Sequence, residues 1–471
     1  MNNLNLLLPE SILAVLALAV AFADLFVPSK HARILYHFAW LSAAGVFARI
    51  ALSLGDASMH GAGSLWAVDP FSQFFKLTTL AACVLCLLLS LDYKALPERH
   101  AGTFSALMLL STAGLMYLVS GTDLLLIFVS IELVSISSFI LSGFERTNPK
   151  SNEGSMKYFL FGAFSSAIMI YGISLYYGAT GGTALAAGAV STPGPMLILA
   201  LVLILLGFGF KASLAPMHFW VPDAYEGAPT PVTTFLSVAP KLATFAALVR
   251  VFGSVFPPQA YDLTILFSII AALTMTIGNF TAMFQTDAKR LLAYSSIAQA
   301  GYLMIGLAVG SPLSREGVMM YSFVYVAMNI GAFAVIQAVG SAKGSYDLAS
   351  FDGLAKRRLG LALSLLFCLL SLAGIPPLAG FMGKLLIFSS AVQSGQWWLA
   401  VIGVLNSVVS VYYYFQIAHR MFFREPSDET AIPVGAYVCG GVAVAVVGVL
   451  LLGINPEPLI AGVRASTQIL P

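Results

Sequence analysis

Apolar runs of about twenty residues, separated by short polar or Gly/Pro clusters, recur along the whole chain. They fall at 4–27, 33–54, 70–91, 102–120, 123–143, 154–179, 195–221, 228–251, 261–284, 288–310, 315–340, 358–393, 397–423 and 431–453. A membrane-crossing helix needs roughly 20 apolar residues. The pattern therefore predicts an all-α polytopic membrane protein of about fourteen transmembrane helices, with short loops and no sizeable soluble domain. The seventh run contains Pro216, and the twelfth, with Pro376 and Pro377, is too long for one straight crossing. Both are expected to be broken helices. They lie five spans apart, and an odd offset inverts one unit relative to the other. Helices 4–8 and helices 9–13 then form two inverted five-helix repeats, and paired broken helices point to a transport site near the midplane. The chain divides accordingly into helices 1–3 (1–100), a first repeat (101–253), a second, inverted repeat (254–425) and a last helix (426–471), all within one membrane domain.

Composition agrees. Hydrophobic residues make up 59% of the 471 and charged residues 9%, against roughly 25% charged in a soluble chain. The net charge of +2 hides an asymmetry. One set of loops receives Lys30, Arg33, Lys94, Arg99, Arg146, Lys150, Lys289, Arg290, Lys343, Lys356, Arg357, Arg358, Arg420 and Arg424. The opposite set holds little beyond Arg250, Arg315 and Arg464. Basic loops stay in the cytoplasm, so both termini are expected in the periplasm of a bacterial inner membrane. Met1 to Leu8 carries no positive charge on its side chains and no A-x-A-like site follows, as expected of a retained first span rather than a signal peptide. Cys83 and Cys86 form a C-x-x-C inside an apolar run without further ligands nearby, and with Cys368 and Cys439 they read as small core residues. Neither a G-x-G-x-x-G after a strand nor a Walker A loop is present. With six scattered histidines there is no pair of spans for bis-histidine haem. No cofactor or metal is expected on this chain, and no nucleic acid.

Charges in the spans are costly, about 2.5–3.5 kcal/mol each at the bilayer centre, and so are functional candidates by default. Four stand out: Glu132 midway along span 5, Lys211 in span 7, Lys241 directly after Pro240 in span 8, and Lys384 after Pro376-Pro377 in span 12. Proline frees the carbonyl four residues earlier, here Ala212, Leu236, Leu372 and Ala373. Lipid offers these groups no partner, so the breaks are expected to create hydrated pockets beside the lysines. A lysine there can change protonation state, whereas an arginine cannot. A proton relay through Glu132, Lys211, Lys241 and Lys384 follows. The structural alternative, Lys–Glu pairs between helices, leaves at least two of three lysines without a carboxylate. Secondary candidates are Lys157, which opens span 6 beside Glu153; His218, which would share the face of Lys211 in a straight helix; Lys289 at the mouth of span 10; and Tyr294 further in. Lys76 reads as a weaker snorkelling lysine, Lys289 and Arg290 as basic anchors, and Asp223 and Glu226 as loop or cap residues.

The stretches KASLAPMHFWVPDAYEGAPTPVTTFLSVAPKLATF (211–245) and SLAGIPPLAGFMGKLLIF (371–388) resemble the antiporter-like subunits of respiratory complex I and the related Mrp antiporters. The connection PDAYEGAPTPV, lysine rather than glutamate at Lys384, and the short tail after the last span resemble the N-type branch in bacterial NADH–quinone oxidoreductase. Specific motifs cover roughly 100–425. The resemblance implies a proton-translocating subunit with a central axis of Glu132, Lys211, Lys241 and Lys384, and implicates Lys157, Lys289, His218 and Tyr294 less firmly. It implies partners of the A, H, J, K, L and M types, a peripheral NADH-oxidising arm, and FMN, iron–sulfur clusters and quinone in other subunits. The rivals are an Mrp-type cation/proton antiporter and an inert scaffold. Orientation is directly testable: single cysteines placed at Asn3 and Gln468 are expected to react with impermeant maleimide from the periplasm, and labelling from the cytoplasm alone would reverse the topology.

Overall fold

The computed structural model describes residues 8–54, 60–62, 65–96, 98–188, 193–252, 256, 263–426 and 432–469. Lipid cannot satisfy backbone polar groups, so each apolar run closes its own hydrogen bonds as a helix. The first three runs give α1 (Leu8–Ala23), α2 (Arg33–Leu52) and α3 (Pro70–Leu91). Next come α4 (Ala101–Ser120), α5 (Leu124–Ser142), α6 (Pro149–Thr180), α7 (Pro195–Ala212), the short α8 (Val221–Gly227) and α9 (Thr230–Arg250). The second half holds α10 (Thr264–Ala282), α11 (Ala288–Val309), α12 (Pro312–Lys343), α13 (Leu354–Arg357), α14 (Leu359–Ala373), α15 (Ala379–Gln393) and α16 (Trp397–Phe423). α17 (Ala436–Ile454) and α18 (Glu457–Ala465) close the chain, and His60–Ala62 pairs antiparallel with Trp66–Val68 in a small hairpin. Twelve of these helices are long and apolar enough to cross a membrane. α1 and the broken pair α14–α15 complete fourteen passages.

The two halves repeat in local detail. Asp123 caps α5 and Asp287 caps α11, each side chain accepting from backbone amides of the first turn. α6 and α12 each run 32 residues, begin with proline behind a side-chain cap, and end on a left-handed glycine, Gly181 and Gly344. In the first half, Leu124 N donates to Thr183 O and Leu185 N to Thr122 O, both at 2.9 Å. In the second, Ala288 N donates to Tyr346 O at 2.9 Å and Leu348 N to Thr286 O at 2.8 Å. A 3₁₀ turn follows each bridge, Leu185–Gly188 and Leu348–Phe351. Both halves are then broken, after α7 and after α14, as expected.

Burial sorts the helices by role. The apolar window of α9 is wholly buried, with α11 at 94% and α12 at 89%, whereas α2 and α17 bury about a third or less. Side chains of α9 therefore meet protein on every side, those of α11 and α12 nearly so, and Lys241 sits on α9.

Two ion pairs correct the reading of the first spans. Lys76 does not snorkel: it is buried against Glu10 of α1 at 2.6 Å. Arg250 does not face a loop. It is fully buried and donates to both oxygens of Asp69, at 2.9 and 3.1 Å, and to Val119 O at 3.3 Å. Asp69 also caps α3 through Ser72 N at 2.7 Å. One carboxylate thus ties α3 to the ends of α4 and α9. Cys83, Cys86 and Cys368 are buried as expected, but Cys439 is exposed, because its face of α17 points outward. Truncating one partner of a buried pair costs about 3–5 kcal/mol, since the other charge is left uncompensated. Asp69→Ala is therefore expected to lower the thermal unfolding midpoint of the purified protein sharply, with Glu10→Ala acting likewise. An unchanged midpoint in both would deny the pairs any structural weight.

Candidate functional site

Lys211 occupies the last turn of α7, and the chain leaves that helix at Ser213 with φ 63°. A non-glycine residue in this left-handed region costs roughly 1–2 kcal/mol, so surrounding contacts hold it there. The ammonium donates to Tyr158 Oη at 3.0 Å. It lies 5.1, 5.5 and 5.6 Å from the ring centres of Tyr158, Phe139 and Phe210. Tyr158 stacks on Trp220 at 4.0 Å, and the Trp220 indole N–H returns to Phe210 O at 3.1 Å. Lys211 is thus caged by aromatic faces and one hydroxyl. Glu132 makes no ion-pair contact with it. The half-buried carboxylate instead accepts from Ser166 Oγ.

Lys241 lies one residue after Pro240 on the enclosed α9 and donates to Ser296 O on α11 at 2.6 Å, and also to Ser296 Oγ. The carbonyl that Pro240 frees, Leu236 O, accepts from Tyr225 Oη at 3.1 Å. Lys384 folds back across the second break. Its ammonium donates to Leu372 O at 2.9 Å, Ala373 O at 3.1 Å and Ser407 Oγ at 3.0 Å, over the face of Tyr302 at 4.4 Å. These carbonyls form the negative C-terminal end of α14, where a cation is favoured. Gly374 adopts φ 85°, and a Cβ there would sit 2.9 Å from the Lys384 side chain, so this turn requires glycine twice over. Three of the four carbonyls expected to be freed therefore have donors, and Lys384 serves two of them.

Neutral polar groups lie between the last two lysines. Gln299 Nε2 donates to Leu372 O at 3.1 Å, the carbonyl that Lys384 also uses, and to Tyr414 Oη at 3.1 Å. Tyr321 Oη donates to Gln299 Oε1, and Ser295 Oγ meets Tyr414 Oη at 2.5 Å. Ser296, which holds Lys241, and Gln299, which shares Leu372 O with Lys384, lie one turn apart on α11, so the two lysines flank one polar strip of that helix. Beyond Lys384, Asn279 links Tyr302, Asn406 and Tyr413.

The secondary candidates divide. His218 lies in the break after α7, stacked on Phe219 at 4.5 Å, with its buried Nδ1 unpartnered among the described residues. It does not continue the Lys211 face, because the helix stops between them. Lys157 belongs to a rim network: it pairs with Asp223 at 2.7 Å and Glu153 at 2.6 Å, while Arg290 bridges Asp223 at 2.5 Å and Glu226 at 2.8 Å, and Lys150 meets Glu226 at 2.7 Å. Asp223 and Glu226 are thus its acceptors rather than plain cap residues. Lys289 is buried, not a surface anchor, and donates to Glu226 O at 2.8 Å and Ala228 O at 2.6 Å. It lines a polar cavity of about 240 Å³ with Lys150, Glu226, Asp287 and Tyr346. Tyr294 is half-buried, packed beside the core; the hydroxyl that joins the strip is that of its neighbour Ser295.

Residues 121–410, which include all four central charges, match the family described as NADH:quinone oxidoreductase/Mrp antiporter, TM. The chain belongs to this family. A family member named NADH-quinone oxidoreductase subunit N, from Trichlorobacter lovleyi, is 43% identical over 99% of this chain and 98% of its own. One chain of respiratory complex I from Thermus thermophilus with bound aureothin superposes with a TM-score of 0.83 at 35% identity, over 97% of this chain and 99% of that one. One chain of the Mrp complex from Dietzia sp. DQ12-45-1b superposes with a TM-score of 0.89, over 99% and 97% of the two chains. At 22% identity, that likeness is one of fold. The N-type antiporter-like resemblance read from 211–245 and 371–388 therefore extends across the whole chain.

Reading for charges missed Tyr158, Ser296, Gln299 and Tyr414, whose signal was only a polar residue at span depth. The rim yields a pH prediction. Burial by itself would raise the Asp223 and Glu226 carboxyls, but hydrogen bonds from Lys157 and Arg290, and from Lys150 and Arg290, outweigh it and hold both below their ordinary 3.8 and 4.5. Carboxyls depressed in the folded state stabilise it above those ordinary values, and the contribution fades as pH falls through the folded values. The thermal midpoint is expected to drop on acidification below 4.5, and to drop less in Asp223→Asn/Glu226→Gln. Equal acid sensitivity of variant and wild type would exclude the rim as its source.

Proposed function

We propose that this chain is the N-type proton-translocating membrane subunit of a quinone oxidoreductase, with Glu132, Lys211, Lys241 and Lys384 as its relay. The observation that carries this reading is the company of the three buried ammoniums. Each rests on neutral oxygens, Lys211 and Lys384 also on aromatic faces, with no carboxylate in contact among the described residues. Such sites hold a proton without locking it, because neither the charged nor the neutral amine is pinned by a partner. A permanent Lys–Glu pair would fix one state.

In this reading the Gln299–Tyr414–Ser295 strip carries protons between Lys241 and Lys384, with water completing the contacts of orphaned buried groups such as Ser213 Oγ, Tyr325 Oη and His218 Nδ1. Glu132 biases Lys211 electrostatically. Lys289 and its polar cavity, with Lys157 and the rim, form the proton entrance from the basic side. Tyr294 borders the strip and His218 the first break. Quinone reduction elsewhere supplies the energy, and FMN, iron–sulfur clusters and quinone belong to other subunits. The partners are membrane subunits of the A, H, J, K, L and M types and a peripheral NADH-oxidising arm. The location is a bacterial inner membrane with both termini periplasmic. An Mrp-type cation/proton antiporter shares the fold, but the 43% identity to a subunit N against 22% to the Mrp chain favours the quinone-linked reading.

The test uses inverted membrane vesicles, with NADH-driven ΔpH and quinone-linked oxidation measured together and assembly checked on native gels. Lys211→Ala, Lys241→Ala, Lys384→Ala and Glu132→Gln are each expected to lower pumping on the order of tenfold or more. Lys241→Arg should be nearly as harmful, because arginine keeps the charge but does not release its proton. Lys356→Ala, an exposed residue paired with Glu425 away from the rim, should matter little. An assembled Lys241→Arg variant that pumps at the wild-type rate would rule out protonation cycling at that residue.

A further inference from the structure

A second cavity, of about 600 Å³, opens at the basic end of the bundle, beside the relay rather than on it. It lies between the segment before α4 and the junction of α5 with α6. Its mouth carries Arg99, His100 and Arg146, all exposed, and neither arginine has an ion-pair partner among the described residues. The carboxylate in the wall, Glu145, is already engaged, accepting from Tyr93 Oη at 2.7 Å and Asn148 Nδ2 at 3.2 Å. Asp24, near the α4 end of the wall, accepts from the amides of Gly102 and Thr103 and from the Thr103 hydroxyl. The N-termini of α4 and α6 both point here and add positive potential. The donors to both carboxylates are neutral and cancel no charge, and the cationic character of the mouth rests on Arg99 and Arg146, two charges against the single lining carboxylate Glu145.

The floor has the opposite character. Phe139, Ile140 and Phe144 line it, and Ile140 is 49% exposed. From it the apolar face of α5 continues to Ile136, 57% exposed, one turn short of the half-buried Glu132. A cationic mouth at the membrane surface, continuous with an apolar track along the span, fits one kind of molecule. We propose that this cavity is a binding site for an anionic phospholipid of the leaflet on the basic side. Its phosphate pairs with Arg99 and Arg146, and an acyl chain lies along Ile140 and Ile136. Basic pockets between transmembrane helices on this side suit such headgroups, and the apolar floor distinguishes a lipid from a free anion. Phe139 gives the site a reach beyond anchoring. The same ring walls the cavity, packs edge-on against Tyr158 at 4.6 Å and lies 5.5 Å from the Lys211 ammonium. The bound chain therefore presses on a member of the Lys211 cage.

The site is tested in the assembled complex in lipid nanodiscs, with a phosphatidylglycerol bearing a photoreactive group near its phosphate and peptide mapping of this chain. Labelling is expected on the segments around 99–103 and 139–147. Unlabelled phosphatidylglycerol should compete, whereas phosphatidylcholine and millimolar inorganic phosphate should not. Arg99→Gln/Arg146→Gln should cut labelling there on the order of tenfold or more, at about 1 kcal/mol per arginine, with labelling elsewhere on the chain unchanged. Arg424→Gln, a basic residue at a different corner, should leave it intact. Ile140→Trp keeps both arginines but fills the track, and should also lose the label, so a double variant that fails to assemble does not end the test. Undiminished labelling in the assembled variants would overturn the proposal, as would equal competition by phosphatidylcholine or displacement by phosphate. A crosslinker at residue 140 that captures a protein neighbour instead of lipid would overturn it as well.

Discussion

A carbonyl freed inside a membrane must find a donor within the protein, because lipid has none to give. That requirement organises this chain. At the second break the donor is the lysine itself: Lys384 returns to Leu372 O and Ala373 O, so the helix end and the buried cation satisfy each other. At Pro240 the task falls to Tyr225, which leaves Lys241 free to cross to α11 and hold Ser296. Break and charge are therefore one device. The carbonyls at the second break are doubly served, Leu372 O also by Gln299 and Ala373 O also by Ser407, so losing Lys384 removes three hydrogen bonds without leaving either carbonyl bare.

The device works where lipid and bulk water are kept out, and the bundle supplies that place. α9, α11 and α12 are almost wholly enclosed by the other helices. A hydrogen bond there is stronger than in water, and an unpaired group is correspondingly costlier. The ion pairs near the chain's start serve the same enclosure. Asp69 and Arg250 fasten the closed helix α9 to α3 and α4, and Glu10 and Lys76 fasten α1 outside them.

Much of this was legible in the residues. Fourteen runs, two prolines at matching places and four charges at span depth each carry a signal that a membrane makes loud, because polar groups there are few and expensive. What stayed hidden was pairing. Arg250 reads as a loop residue until a carboxylate 181 residues away is placed beside it, and Lys76 reads as a snorkelling lysine until Glu10 is seen across the helix gap. Gln299, Tyr414 and Tyr158 were silent for another reason. Neutral polar side chains are common in spans, and only three-dimensional proximity shows which of them meet a buried lysine. Cys439 failed more simply, since an apolar run does not say which face of its helix turns outward.

The complete enclosure of α9 has a consequence for how the chain is made. Its buried lysine finds its acceptor on Ser296, 55 residues later in the sequence. When α9 leaves the ribosome, neither α11 nor α12 exists, and the helix carries an unmatched ammonium and a proline into a bilayer that tolerates neither well. Until the second half arrives to close around it, α9 carries the cost of that unmatched charge, about 2.5–3.5 kcal/mol on insertion scales. The inverted halves are thus joined in biogenesis by the same contact that joins them in the finished protein, and a nascent chain cut off before α11 is a natural target for membrane quality control.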